Sequence, residues 1–146
     1  MKLRVATAAL AIGGAAIAGY LTYVHYAHVA PICTTGGCEE VQRSKYAELA
    51  GVPVALLGVI AYATLFALAW MRGELAAFGA AIIALTGAAF SGYLLWAQLG
   101  PIGAICQWCL ANDAVSAALA VLSVVRLLRD PSQEVFASAR RTIVAR

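Results

Sequence analysis

Charged residues are scarce in this chain of 146: only 12% are Asp, Glu, Lys or Arg, against 63% hydrophobic. So little polar surface cannot cover a soluble globule of this length, which excludes a freely diffusing enzyme or binding module. The basic residues stand at the ends of apolar runs rather than in a patch, and no nucleic-acid-binding signature occurs, which excludes a nucleic-acid partner. Cysteine is sparse as well. There are four, all in two close pairs, Cys33 with Cys38 and Cys106 with Cys109, so the count reads as two dithiol/disulfide couples.

What is present is apolar length. Four runs, at about residues 5–24, 54–71, 75–99 and 102–125, are each long enough to cross a bilayer, which predicts an all-α integral membrane protein, a four-helix bundle over 1–130 with a basic tail at 131–146. Ala16-Ile17-Ala18 has the small-x-small form of a leader cleavage site, yet apolar and aromatic residues continue through Leu21, Tyr23 and Tyr26, as in a span that ends in an interfacial belt. Between the first two spans the chain turns polar, and 39–49 is expected to form a short helix on the membrane surface. Pro53 suits the first turn of the second span, and Gly100-Pro101-Ile102-Gly103 breaks the third from the fourth. Gly13, Gly14 and Gly19 permit close helix packing.

Cytoplasmic loops retain positive charge, so the distribution of Lys and Arg sets the orientation. With the N-terminus inside, Lys2, Arg4, Arg72, Arg126, Arg129, Arg140, Arg141 and Arg146 lie in the cytoplasm, against Arg43 and Lys45 outside. Both termini are then cytoplasmic, and all four cysteines face the oxidising, extracytoplasmic side, where disulfides persist. Trp96 and Trp108 fall at the same outer level, as interfacial anchors at least.

Cys106-Gln107-Trp108-Cys109 opens the last span with two thiols one helical turn apart, at a helix start where the dipole and free N–H groups favour a thiolate. The plain alternative is a pair of packed, inert thiols. Cys33 and Cys38 bracket Thr34-Thr35-Gly36-Gly37, and closing so short a loop stabilises by only about 2 kcal/mol, which suits a working pair better than a staple. On a continuous helix Cys106, Cys109 and Asp113 share one face, with Asp113 about 6 Å deeper than Cys109. An intramembrane carboxyl is costly. Asp113 is either a buried polar contact to Ser91, Thr86 or Asn112, or a proton donor or hydrogen-bond partner to a redox ligand beside the thiols. An outer dithiol that meets soluble thiols and an embedded one that faces lipid suit electron transfer to a lipid-soluble quinone.

Taken together, Cys33-x4-Cys38, Ser44, Gly51-Val52-Pro53 opening a span and Cys106-Gln107-Trp108-Cys109 opening the last resemble the vitamin K epoxide reductase family in its bacterial form, over roughly 5–125. The resemblance implies a thiol oxidoreductase of the bacterial cytoplasmic membrane. The redox loop between helices 1 and 2 would relay electrons from a thioredoxin-fold, DsbA-like protein to the C-x-x-C and on to ubiquinone or menaquinone, supporting disulfide formation. It implies that Cys106 exchanges with the loop pair, that Cys109, with Asp113 and Trp108, faces the quinone, and that Ser44 supports the loop cysteines or the quinone pocket. In the animal enzymes a tyrosine stands where this chain has Asp113, and no asparagine is evident in the preceding span region, which favours quinone over epoxide as the group reduced. Many bacterial relatives carry a fused thioredoxin-like domain; with the chain ending at Arg146, the partner is expected to be a separate protein.

A DsbB-type oxidase would perform the same overall reaction with its C-x-x-C in the first outer loop instead. A reading of a different class is a soft-metal site built from His25, His28, Cys33 and Cys38. The orientation is open to direct test: after mild reduction of intact cells, a membrane-impermeant thiol reagent should label Cys33 or Cys38, and labelling only after lysis would refute it.

Overall fold

In a bilayer every backbone N–H and C=O must find its partner within the chain, so apolar runs of this length cross as helices. The computed structural model, which describes residues 2–129, is built that way. Helix α1 covers Lys2–Ala27, α3 Val54–Trp70, α4 Glu74–Ala97 and α5 Gln107–Leu128, with a short α2 at Cys38–Arg43. By length and composition α1, α5, and α4 with the π-helical turn that extends it to Ile102 can each span a membrane. At 17 residues, α3 stands at the lower end of the spanning range. The chain is a helical membrane bundle, as expected. The basic tail at 131–146 lies outside the described residues.

Two expectations about local structure need correction. The helix expected over 39–49 stops at Arg43, because Ser44 is extended and its Oγ donates back to the Val41 carbonyl at 2.7 Å. The chain then forms a small antiparallel hairpin, β1 (Glu48–Leu49) with β2 (Val52–Pro53). Its two-residue turn, Ala50-Gly51, has positive φ at both positions, the geometry that joins twisted strands most tightly. The fourth span begins at Gln107 rather than 102. Pro101, without an N–H, cannot continue α4 in regular form, and the chain leaves through the π-helical turn to a left-handed Gly103. Cys106, at the N-cap of α5, is therefore extended, and the shared helical face holds for Cys109 and Asp113 but not for Cys106.

The four long helices pack as a ring, α1 on α3, α3 on α4, α4 on α5 and α5 on α1. Lipid offers no hydrophobic drive for helix association, so small side chains that permit close approach do the packing. Ala11, Ala18, Ala80, Ala84 and Ala120 make up most of the buried core around Tyr62, Leu65 and Leu119. Of the glycines expected at helix contacts, only Gly14 is pressed: a Cβ there would lie 2.6 Å from two carbons of the Tyr62 ring, whereas one at Gly13 or Gly19 would meet nothing within 4 Å. At the other end of α3, the buried Arg126 donates to the carbonyls of Leu68 (2.8 Å) and Met71 (2.6 Å), satisfying acceptors that a helix terminus leaves open. Gly14→Ala is expected to lower the thermal midpoint in detergent through overpacking of about 1–3 kcal/mol. Gly13→Ala should leave it unchanged or raise it, and equal melting of the two variants would remove Gly14 as the packing point.

Candidate functional site

The loop between α1 and α2 carries the first cysteine pair onto the start of α5, and named contacts hold it there. Gly37 packs so closely that a Cβ would lie 2.6 Å from the Ile105 carbonyl oxygen and 2.7 Å from its nitrogen. Thr35 Oγ1 donates to the same carbonyl at 3.0 Å. Gln107 Oε1 accepts both from the Thr34 backbone N–H, at 3.1 Å, and from the Thr34 hydroxyl. Trp108 Nε1 donates to the Ile32 carbonyl at 2.7 Å, while the Ile32 N–H donates to Tyr20 Oη at 2.9 Å and the Tyr20 and Trp108 rings lie 5.0 Å apart. The two middle residues of the C-x-x-C thus serve as the clamp for the other pair.

Docking brings all four cysteines into one packed cluster. Cys33 and Cys38 form a disulfide, and Cys106 and Cys109 are free thiols. Cys38 and Cys106, both without solvent exposure, are buried together with Val41, and Cys33 and Cys109 pack at the edges. Thr35 Oγ1 stands 3.1 Å from Cys33 Sγ and 4.0 Å from Cys38 Sγ. The Cys109 thiol donates to Cys106 and, helped by the backbone N–H groups of Cys109 and Trp108, brings the Cys106 thiol down to about 7 against the opposing effect of burial. A thiolate there is both a nucleophile toward a disulfide and a good leaving group from one.

Below the cluster lies a cavity of about 70 Å³ whose walls include Cys109, Asn112 and Asp113 from α5, Gln98 from the π-helical turn, and Ser44. Ser91 hydrogen-bonds the Asp113 carboxyl, whose Oδ2 is buried without a hydrogen-bond partner. Gln98 Oε1 accepts from the Cys106 N–H at 2.9 Å, and its buried Nε2 has no partner. Val54, Leu94 and Asn112 also line a larger, mostly apolar groove of about 440 Å³ between α3, α4 and α5. There Tyr62 Oη donates to Asn112 Oδ1 at 2.9 Å.

A search with family models matches residues 5–124 to the vitamin K epoxide reductase family. The chain belongs to that family. It is also similar to the thiol-disulfide oxidoreductase LTO1 of Arabidopsis thaliana, 31% identical over 120 residues, which cover 72% of this chain and 31% of that relative. The chain therefore spans under a third of that relative's length.

Within this family member the structure sorts the expected site residues. Cys109, Asp113 and Ser44 meet at one cavity. Trp108, expected at the quinone, lines neither cavity nor groove, because its indole is turned to Ile32 and Tyr20. His25, His28, Cys33 and Cys38 are not gathered as metal ligands: His25 Nε2 lies 3.3 Å from Glu48 Oε1, and the cysteines are bonded to each other. The sequence assigns no role to Gln98, Gln107, Thr34, Thr35, Tyr20 or Tyr62, and offers Asn112 only as a contact of Asp113, whereas the structure pairs it with Tyr62. Only Gln107 carried a signal, its place inside the C-x-x-C. Gly37→Ala, which must push the loop off Ile105, is expected to slow exchange between the two cysteine pairs by about 10²-fold, the loss that a misplacement of roughly 1 Å can cause. The Cys33–Cys38 disulfide should remain reducible by dithiothreitol, and thiol alkylation with mass analysis at timed intervals reads both.

Proposed function

We propose that this protein is a membrane thiol oxidoreductase that passes electrons from an extracytoplasmic thioredoxin-fold, DsbA-like protein through Cys33/Cys38 to Cys106/Cys109 and on to a membrane quinone, ubiquinone or menaquinone. The observation that carries this reading is the burial of a closed loop disulfide and a free dithiol in one cluster above a small cavity that has Gln98, Asn112 and Asp113 in its wall and adjoins an apolar groove. The charge distribution favours the loop outside the cytoplasm, the resemblance to the bacterial form of the family supports a bacterial cytoplasmic membrane, and the apolar runs support a membrane domain over residues 1–130.

In the relay, a thiolate of the partner attacks the loop disulfide. Cys33, partly exposed while Cys38 is buried, is the accessible sulfur for that attack. A mixed disulfide forms, and the second partner thiol resolves it, leaving the loop as a dithiol and the partner oxidised. Cys38, beside Cys106, then attacks the Cys106–Cys109 disulfide at Cys106 and releases Cys109. Cys33 closes on Cys38 and expels Cys106 as a thiolate, a role its low pKa suits. The loop is oxidised again and the inner pair reduced, which is the arrangement of disulfide and thiols observed.

The residues present fit a quinone. The groove offers an apolar wall for a ring and tail, and the cavity offers Cys109 with unpartnered polar atoms to meet a ring oxygen. When bound, a quinone accepts two electrons and two protons. Cys109 stands where the electrons leave the protein, Asp113 holds a proton one turn deeper on the same face, and Ser44 both ends α2 and lines the cavity. Cys106→Ala tests the series arrangement. The variant should accept electrons from a reduced thioredoxin-fold partner once, at the loop, and then stop, giving no sustained quinone reduction; continued turnover would overturn the relay.

A further inference from the structure

Gln98 is 2% exposed, and its amide is oriented without ambiguity: the end facing the Cys106 N–H must be the acceptor Oε1, so the donor Nε2 is the end left unpaired. A buried donor without a partner is costly, and native proteins satisfy such groups with another group, water or a ligand. The same cavity wall holds a second unpaired polar atom, Asp113 Oδ2, and the Cys109 thiol. Gln98 also opens the π-helical turn, an irregularity that recurs at functional sites. Two residues that each carry an unpaired buried polar atom, one a donor and one on a carboxyl, thus line one small space beside the Cys109 thiol.

We propose that Gln98 Nε2 and Asp113 Oδ2 form a site for a single oxygen atom next to Cys109, with Gln98 as its permanent hydrogen-bond donor. The oxygen is that of a quinone head group reaching in from the apolar groove, or of a water molecule. This rests on the cavity being the end of the electron path. At about 70 Å³ the cavity takes two waters, at about 30 Å³ each, and a ring only by opening toward the groove across Val54, Leu94 and Asn112. Because Gln98 Oε1 is bonded to the N-cap residue of α5, the donor is positioned by the backbone of Cys106 itself. Gln98 therefore positions the oxygen beside the Cys109 sulfur.

The test uses the full chain in lipid nanodiscs with Cys106–Cys109 oxidised, so that no turnover occurs, and ubiquinone labelled with ¹³C at its carbonyls. Two variants separate the ends of the amide, with spectra taken at alkaline pH so that an introduced carboxyl is ionised: Gln98→Glu keeps the acceptor for the Cys106 N–H and removes the donor, while Gln98→Leu removes both. In the unsubstituted protein one carbonyl stretch should be lowered by the hydrogen bond. In both variants it should return toward the free value, with quinone binding about tenfold weaker, the equivalent of about 1.4 kcal/mol. If the carbonyl band is indifferent but a water band shifted by H₂¹⁸O, seen without quinone, disappears in both variants, the oxygen is that of water. Indifference of both bands to both variants overturns the site. Reduction of Cys33–Cys38 by the thiol partner, unchanged in the variants, shows that they are folded. Since the bands are read without electron transfer, a relay that fails leaves this readout intact.

Discussion

Everything the site can do depends on one contact, the seating of the 32–38 loop on the irregular segment that leads into α5. Gly37 lies against the Ile105 backbone with no space for a side chain, and Thr34, Thr35 and Ile32 are each tied across by hydrogen bonds. A disulfide and a dithiol exchange only when sulfur can approach sulfur in line, so two cysteine pairs some 70 residues apart in sequence are chemically useful to each other only through this docking. The clamp uses the intervening residues of the C-x-x-C, which makes the motif at once a dithiol and the seat of the other cysteine pair.

The seat in turn depends on how the third span ends. Had α4 continued into a tight turn and a regular fourth helix, Cys106 would lie within that helix. The π-helical turn around Pro101 and the left-handed Gly103 instead deliver residues 104–106 as non-helical chain, with Cys106 extended, leaving the Ile105 carbonyl free to accept from Thr35 and the Cys106 N–H free to donate to Gln98. Cys106 then sits at the N-cap, where backbone N–H groups point at its sulfur. One irregularity thus sets the docking surface, the character of the thiol and the orientation of the Gln98 amide.

The bundle below is held by fit more than by hydrophobic area. Its alanines, with Gly14 against the Tyr62 ring, bring the helices close, and several polar side chains inside are paired across it, Tyr62 to Asn112, Ser91 to Asp113 and Arg126 to the end of α3. Among the described residues Gln98 Nε2, Asp113 Oδ2 and, deeper in α5, Ser123 Oγ are buried without a hydrogen-bond partner, and the first two belong to residues that line the cavity beside Cys109.

The sequence by itself determined the features that are one-dimensional. Apolar run length against bilayer thickness set the membrane helices, the two short cysteine spacings grouped the thiols in two pairs, and the pattern of both pairs with Ser44 and Gly51-Val52-Pro53 indicated the family, which the match over residues 5–124 bears out. Asp113 and Cys109 could be placed on one face because four residues on a helix fix their relation regardless of what surrounds them. Tertiary structure alone decided which groups meet across the bundle. Trp108 and Gln107 turn to the loop because Ile32 and Thr34 are there to receive them, and Gln98 faces the cavity because the Cys106 N–H takes the other end of its amide. Periodicity and composition report how a residue relates to its own helix, whereas these pairings depend on the path of a loop and an irregular turn, whose backbone no repeating pattern encodes.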